Sequence, residues 1–175
     1  MQHLPAGISP ATEADIPALL ALLNRAYRGT EARSGWTHEA DLIEGTQRTD
    51  AAELEHKLHT PGAVLLKYVP GSGSIEACVY LEKQDDQLYL GMLSVDPSLQ
   101  GAGIGKKLLY AAEDVARAQG CTAIVMTVIS IRAELLEWYQ RHGYRATGAE
   151  EPFPDEPRFG KPRQPLFFKW LKKDL

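Results

Sequence analysis

At 175 residues, 44% hydrophobic and 24% charged, the chain suits one domain spanning residues 1–175 that buries its own core, and its balance excludes a disordered polymer. A net charge of -4 and a pI near 5.7 argue against nucleic-acid binding by bulk electrostatics, and the longest apolar runs, such as Ala123 to Ile131, are far too short to span a bilayer. No basic segment followed by an apolar stretch opens the chain, so the cytoplasm is the expected compartment; Cys78 and Cys121 lie in strand-like runs and read as buried, reduced thiols.

Residues Ala6 to Thr12 read as a short first strand. Thr12-Glu-Ala-Asp15 with Pro17 is helix-start chemistry, and Ile16, Leu19, Leu20, Leu23 and Tyr27 follow at helical spacing to a stop near Arg28-Gly29. Thr37 is placed to cap a second, shorter helix running to Ile43, and a further helix is expected from Asp50 to His59, ended by Pro61-Gly62. The period then changes. Ala63 to Val69, Ile75 to Leu81 and Leu88 to Val95 are strand-like, separated by Pro70-Gly-Ser-Gly-Ser74 and Gln84-Asp-Asp86, which predicts an antiparallel meander.

Asp96-Pro97 ends the meander, and the alternate glycines Gly101, Gly103 and Gly105 lead into a helix with Ile104, Leu108, Leu109, Ala112, Val115 and Ala116 on one face and Gly120 beyond its end. Cys121 to Ser130 is a β-branched run suited to a central strand. Ala133 to His142 is helical in pattern, and Tyr144 to Ala149 and Leu166 to Leu171 form a last strand pair, with Lys169, Lys172 and Lys173 read as the solvated side of an edge strand. The intervening Glu150 to Pro165 is long for an idle loop.

Strand, glycine turn, helix is an arrangement that aims backbone N–H groups at phosphate, because glycine lets the main chain approach an anion and a helix start carries unpaired donors. Two familiar versions fail here. A P-loop requires a glycine where this chain has Gln100 and Ser or Thr where it has Lys107; a dinucleotide fingerprint requires a third glycine where it has Lys106 or Leu108. What remains is Gln100-Gly-Ala-Gly-Ile-Gly105. It resembles the pyrophosphate motif of the GNAT (general N-acetyltransferase) superfamily, and Trp138-Tyr139-Gln-Arg-His-Gly143-Tyr144 is similar in order and spacing to the second motif of that superfamily.

The resemblance implies an α/β (α+β) GNAT fold: a central mixed, mostly antiparallel sheet of about six to seven strands, splayed in the middle and flanked by about four helices. It implies acetyl-CoA as acyl donor, held by Leu93, Ser94, Val95, Gln100, Gly101, Ala102, Gly103, Ile104, Gly105, Lys106 and, where relatives often carry Asn, Arg132; the main chain of Leu93 and Val95 would pair with the pantetheine arm. Tyr139 becomes the general acid for the departing thiolate. Where some relatives carry a basic Glu this chain has Tyr89, so Glu82, or Glu76 on the same strand face, is the candidate base through ordered water.

Acceptor recognition falls to Tyr27, Arg28, Arg33 and Trp36 between the first helices, to Tyr89, and to Phe153, Arg158 and Phe159 in the last loop. His56 and His59 lack a third ligand nearby, so no metal is assigned. The expected activity is acetyl transfer to a primary amine of a small molecule or peptide by direct attack, in a monomer or homodimer without nucleic-acid or membrane partners. Two alternatives stay open: an acyl-CoA-binding sensor without turnover, and transfer of a longer acyl group or to a hydroxyl, on which the depth of the pocket near Met92 and Val128 bears.

Overall fold

A computed structural model describes residues 3–28, 39–45, 47–71, 73–154, 156 and 160–175. The elements are β1 (Ile8–Pro10), α1 (Ile16–Tyr27), β2 (Ile43–Glu44), α2 (Ala51–His59), β3 (Ala63–Tyr68), β4 (Ala77–Gln84), β5 (Gln87–Val95), α3 (Ile104–Ala118), β6 (Ala123–Ile129), α4 (Ala133–Arg141), β7 (Arg145–Pro152), β8 (Lys161–Pro162) and β9 (Phe167–Asp174). Seven strands form one sheet in the order β1-β3-β4-β5-β6-β9-β7, with β5 and β6 its parallel pair and its other pairs antiparallel. Among the described residues this is the mixed, mostly antiparallel sheet with four flanking helices expected from the resemblance.

Alternation along the strands sorts the core into two layers. On one face Leu108, Leu109, Ala112, Val115 and Ala116 of α3 pack on Leu66, Val79, Leu81, Leu88, Leu90, Ile124 and Met126. On the other, Leu19, Leu22 and Leu23 of α1 and Leu54 of α2 pack on Leu65, Cys78, Tyr80 and Met92. At the start of α1 the Thr12 amide donates to the Asp15 carboxylate (2.8 Å), and α2 is capped by Asp50, which accepts from the Glu53 amide at 2.8 Å. Among the described residues no helix is long and apolar enough to cross a membrane.

Two features of β5 shape everything that follows. Its parallel register with β6 runs only from Gln87↔Ala123 to Tyr89↔Val125, so the strands part beyond Tyr89 and leave a wedge. Facing β4, the register shifts between Tyr80↔Gly91 and Cys78↔Ser94, which sets Val79 against both Met92 and Leu93 and puts Met92 at φ +54°. This is a β-bulge, which bends the strand and increases its twist. The Ser94 hydroxyl (3.0 Å) and the Cys78 thiol (3.8 Å) both donate to the Met92 carbonyl, tying the bulge down.

The structure corrects three expectations. Of the second helix, Trp36 and Thr37 lie outside the described residues, while Glu39 to Glu44 is a turn followed by β2. That strand pairs with β8 (Ile43↔Pro162, Glu44↔Lys161), so part of the long final loop is spent as a strand. Lys169, Lys172 and Lys173 do not sit on an edge: β9 lies between β6 and β7, and Lys173 pairs with Glu113 of α3. The turn between β4 and β5 narrows to Asp85-Asp86 because Gln84 stays in the strand, paired with Gln87.

Candidate active site

The glycine turn begins at Asp96, whose carboxylate accepts the amide and hydroxyl of Ser98 (3.0 and 2.7 Å) and an ion pair from Arg25 on α1 (2.6 Å). Burial raises its carboxyl, but the Ser98 bonds and the Arg25 charge outweigh it, so the group titrates below the usual carboxylate range. Gln100 folds back to donate to the Val95 carbonyl at 3.2 Å. Gly101 and Gly103 take φ of +94° and +79°, and a Cβ on either would meet nothing within 4 Å; these positions need glycine for conformation, and open space lies above them. Gly103 caps α3, whose first bond runs from the Lys107 amide to the Gly103 carbonyl (3.2 Å). The amides of Ile104, Gly105 and Lys106 are thus the orphan donors of a helix start, in a first turn without acidic residues.

Those residues wall a cavity of about 560 Å³. Its opposite wall is α4, through Glu134, Leu135, Glu137, Trp138, Tyr139, Arg141 and His142, and Tyr27, Leu93 and Val95 complete it. Trp138 is held between Tyr139 (ring centroids 5.0 Å apart) and His142 (4.4 Å) and stands 3.5 Å from where a Cβ at Gly105 would be. A cavity of this size with a helix-start anion cradle in its wall suits a phosphate-bearing ligand.

A second cavity of about 370 Å³ opens on the other side of the β5–β6 wedge. Tyr27 and Arg28 line it from the end of α1, Glu39 and Arg48 from the segment that follows, Glu53 from α2, Tyr89 to Leu93 and Met126 to Ile129 from the parted strands, and Arg132, Glu151, Phe153, Phe168 and Trp170 complete it. Arg28 is buried, its side chain 2% exposed, and pairs with Glu39 at 3.1 Å; burial pulls its guanidinium down while the carboxylate opposes. Aromatic pairs Tyr89–Trp170 (6.3 Å) and Phe153–Phe168 (5.3 Å) make the rest of the wall. The two cavities share Tyr27, Leu93, Leu135 and Tyr139.

Tyr139 is buried, and its phenol is pushed well above the ordinary value, first by desolvation and then by the neighbouring Tyr27 and Tyr144. Its hydroxyl makes no hydrogen bond among the described residues. The Tyr27 hydroxyl donates to the Leu93 carbonyl.

Of the residues expected at the donor site, Leu93, Val95, Gln100, Gly101, Gly103, Ile104, Gly105 and Lys106 line the first cavity. Ser94 does not, because alternation turns its buried side chain back to the Met92 carbonyl; Ala102 is exposed outside the lining, and Arg132 lines the second cavity instead. Tyr27, Arg28, Tyr89 and Phe153 line the second cavity, as do Met92 and Val128. Trp36, Arg158, Arg33 and Phe159 lie outside the described residues. Glu82 lines neither cavity; its carboxylate accepts the Tyr80 hydroxyl at 2.8 Å.

Of the α4 wall, sequence reasoning placed Tyr139 at the site but missed Glu134 and His142, which with Trp138 recur every four residues and so share a face. It also missed Arg48, Glu53 and Trp170, which no local pattern marks.

A model of the acetyltransferase (GNAT) family matches residues 17–144. The mycothiol acetyltransferase of Beutenbergia cavernae is 30% identical over 137 residues, covering 76% of this chain and 42% of that protein, so the chain spans less than half the length of this curated relative. Among solved structures, the ribosomal-protein-S18-alanine N-acetyltransferase of Escherichia coli superposes with a TM-score of 0.70 at 15% identity, over 95% of this chain and 92% of that one. The Salmonella typhimurium protein yncA, solved with its cofactor acetyl-CoA, gives 0.68 at 21% identity, over 96% and 92%.

Proposed function

Because the chain belongs to the acetyltransferase (GNAT) family, we propose that it transfers an acetyl group from acetyl-CoA to a primary amine, with donor and acceptor bound together and no covalent enzyme intermediate. The observation that carries this reading is the meeting of two cavities at one buried phenol, Tyr139. Acetyl-CoA supplies the activated thioester. The amides of Ile104, Gly105 and Lys106, the open turn at Gly101 and Gly103 and the Lys106 ammonium hold its pyrophosphate, and the main chain of Leu93 and Val95, at the parted edge of β5, orients its arm.

Tyr139 keeps its proton on Oη and hands it to the thiolate as that leaves. Burial keeps the proton in place, since the desolvated phenol titrates well above the ordinary tyrosine value. The acceptor must shed its own proton before attack. Glu53 and Glu151 line its cavity, whereas Glu82 lies outside both linings and acts in this reading only through a water relay. With direct transfer neither cysteine has to react, and burial pushes the Cys78 thiol up to about 12, which keeps it inert at neutral pH.

The test is thiol release from acetyl-CoA against a panel of amino acids, polyamines, aminoglycosides and peptide N-termini, with the acetylated product identified by mass. Saturable release with one amine class is expected. Tight coenzyme A binding without release from any acceptor overturns the reading in favour of a sensor.

A further inference from the structure

Arg48 stands out among the groups facing the acceptor cavity. The Asn24 side chain on α1 fixes its backbone, accepting the amides of Arg48 and Thr49 (the latter at 3.1 Å), just ahead of the Asp50 cap of α2. Its guanidinium lies 5.5 Å from the centre of the Tyr27 ring, so one face is spent on a cation–π contact. Its edge is not spent: the side chain makes no hydrogen bond or ion pair among the described residues.

The two carboxylates that act on Arg48 are engaged elsewhere. Glu39 pairs with Arg28 at 3.1 Å, and Glu53 accepts the Thr49 hydroxyl at 2.6 Å and lies 4.0 Å from Lys57. A guanidinium offers five N–H donors in a planar fork that fits an oxyanion, and leaving them unpaired in a part-buried, aromatic-lined cavity is costly. Burial draws the Arg48 pKa down, but Glu39, Tyr27, Glu53 and Tyr89 together raise it, so the group stays charged.

We propose that Arg48 is the receptor for an oxyanion on the acceptor, which makes the acceptor class amino compounds of amino-acid size that carry a carboxylate or phosphonate close to the amine. Tyr27 sets the spacing. Its ring faces Arg48 while its hydroxyl is bonded to Leu93, so the anion site lies one tyrosine length from the Leu93 part of the wall shared with the first cavity. A cavity of about 370 Å³ is small enough for this class.

The assignment rests on the acetyl-transfer reading, and two measurements on one panel separate them. The panel holds L-amino acids, their C-terminal amides and aminophosphonate analogues. Each is titrated calorimetrically into the protein loaded with coenzyme A, and each is assayed for thiol release. Acids are expected to bind about 10- to 100-fold more tightly than their amides, the worth of a charge-assisted fork. In Arg48→Gln that ratio falls close to one, in Arg48→Lys it falls part of the way, and coenzyme A affinity stays put in both, which reports an intact fold.

A phosphonate preference over carboxylate assigns the anion. A ratio near one in the wild-type protein, a ratio that survives Arg48→Gln, or no acid bound at all overturns the oxyanion receptor. Acid-selective binding without thiol release leaves the receptor standing and removes acetyl transfer.

Discussion

Tyr27 at the end of α1 and Leu93 on the bulged strand β5 are joined by one hydrogen bond, from the phenol to a backbone carbonyl, across 66 residues of chain. Both residues line both cavities. This bond ties α1 to the shared wall at the point where β5 has already parted from β6; Leu135 and Tyr139 of α4 complete that wall. Tyr27→Phe should therefore lower stability by about 0.5–1.5 kcal/mol, the usual worth of such a bond, and raise KM for donor and acceptor alike. Thermal denaturation and two-substrate kinetics check it; a change confined to one substrate would contradict the shared wall.

Tyr139→Phe keeps the packing against Trp138 and Tyr144 and removes the hydroxyl. Turnover should drop roughly 10²- to 10⁴-fold while coenzyme A affinity is little altered. Since burial raises this phenol, the acid form persists beyond the ordinary tyrosine range, and the alkaline limb of wild-type kcat should not set in below about pH 10.

The same burial has a stability consequence. Tyr27, Tyr80, Tyr89, Tyr139 and Tyr144 are all raised, each with desolvation as the first cause. The unfolded phenols give up protons from about pH 10, while the folded ones retain them, so the folded state binds more protons there and stability falls as pH rises. The contribution is fully present below about pH 10 and lost as pH climbs through the folded values. Urea midpoints measured from pH 8 to 11 should be level at first and then decline.

Glycines 101, 103 and 105 look alike in sequence and differ in what they tolerate. Gly103→Ala forces a side chain into left-handed backbone, at a cost of about 1–2 kcal/mol, and places a methyl group in the open space of the anion cradle. Melting temperature and coenzyme A affinity should both fall. Gly105 lies inside α3, where a Cβ would meet Trp138 at an ordinary 3.5 Å, so Gly105→Ala should raise the melting temperature through helix propensity, worth about 1 kcal/mol.

Arg28 and Glu39 form a buried pair, their side chains 2% and 11% exposed, roofed by Gly160, where a Cβ would lie 2.6 Å from Arg28 Nη1 and 2.5 Å from the Glu44 carbonyl. Arg28→Met strands the Glu39 carboxylate and should destabilise by about 3–5 kcal/mol, whereas Glu39→Gln leaves Arg28 its bond to the Gln47 carbonyl (3.2 Å) and should cost less, with the double variant below the sum of the two. Gly160→Ala should perturb the same corner, read as a lower melting temperature.

What was legible in the sequence was what local chemistry writes locally. The helical period and Gly103 located α3, alternation located β3 to β5, and the Gln100–Gly105 run with Trp138-Tyr139 pointed to the donor cavity. The β-bulge was not legible: Met92 adopts positive φ without glycine, held by the Cys78 and Ser94 side chains, and nothing in Gly-Met-Leu-Ser announces it. Nor was β9 as an interior strand, since sheet order is fixed by long-range pairing and its lysines mimic an edge. Arg48 was invisible for a related reason: its partner Tyr27 and anchor Asn24 lie on another helix, and only the packing of α1 beside α2 brings them together.

The two cavities are built from differently distributed parts of the chain. Apart from Tyr27 and Leu93, the wall of the first cavity comes from the run Val95 to His142, whereas that of the second draws on α1, the residues around the start of α2, the parted strands, the start of α4 with Tyr139, and the region from Glu151 to Trp170. In the acetyl-transfer reading, grafting residues 151–170 or the stretch between α1 and α2 from another member of the family would recast which amine is accepted while leaving the run Val95 to His142 unchanged, making these segments the natural targets for library design.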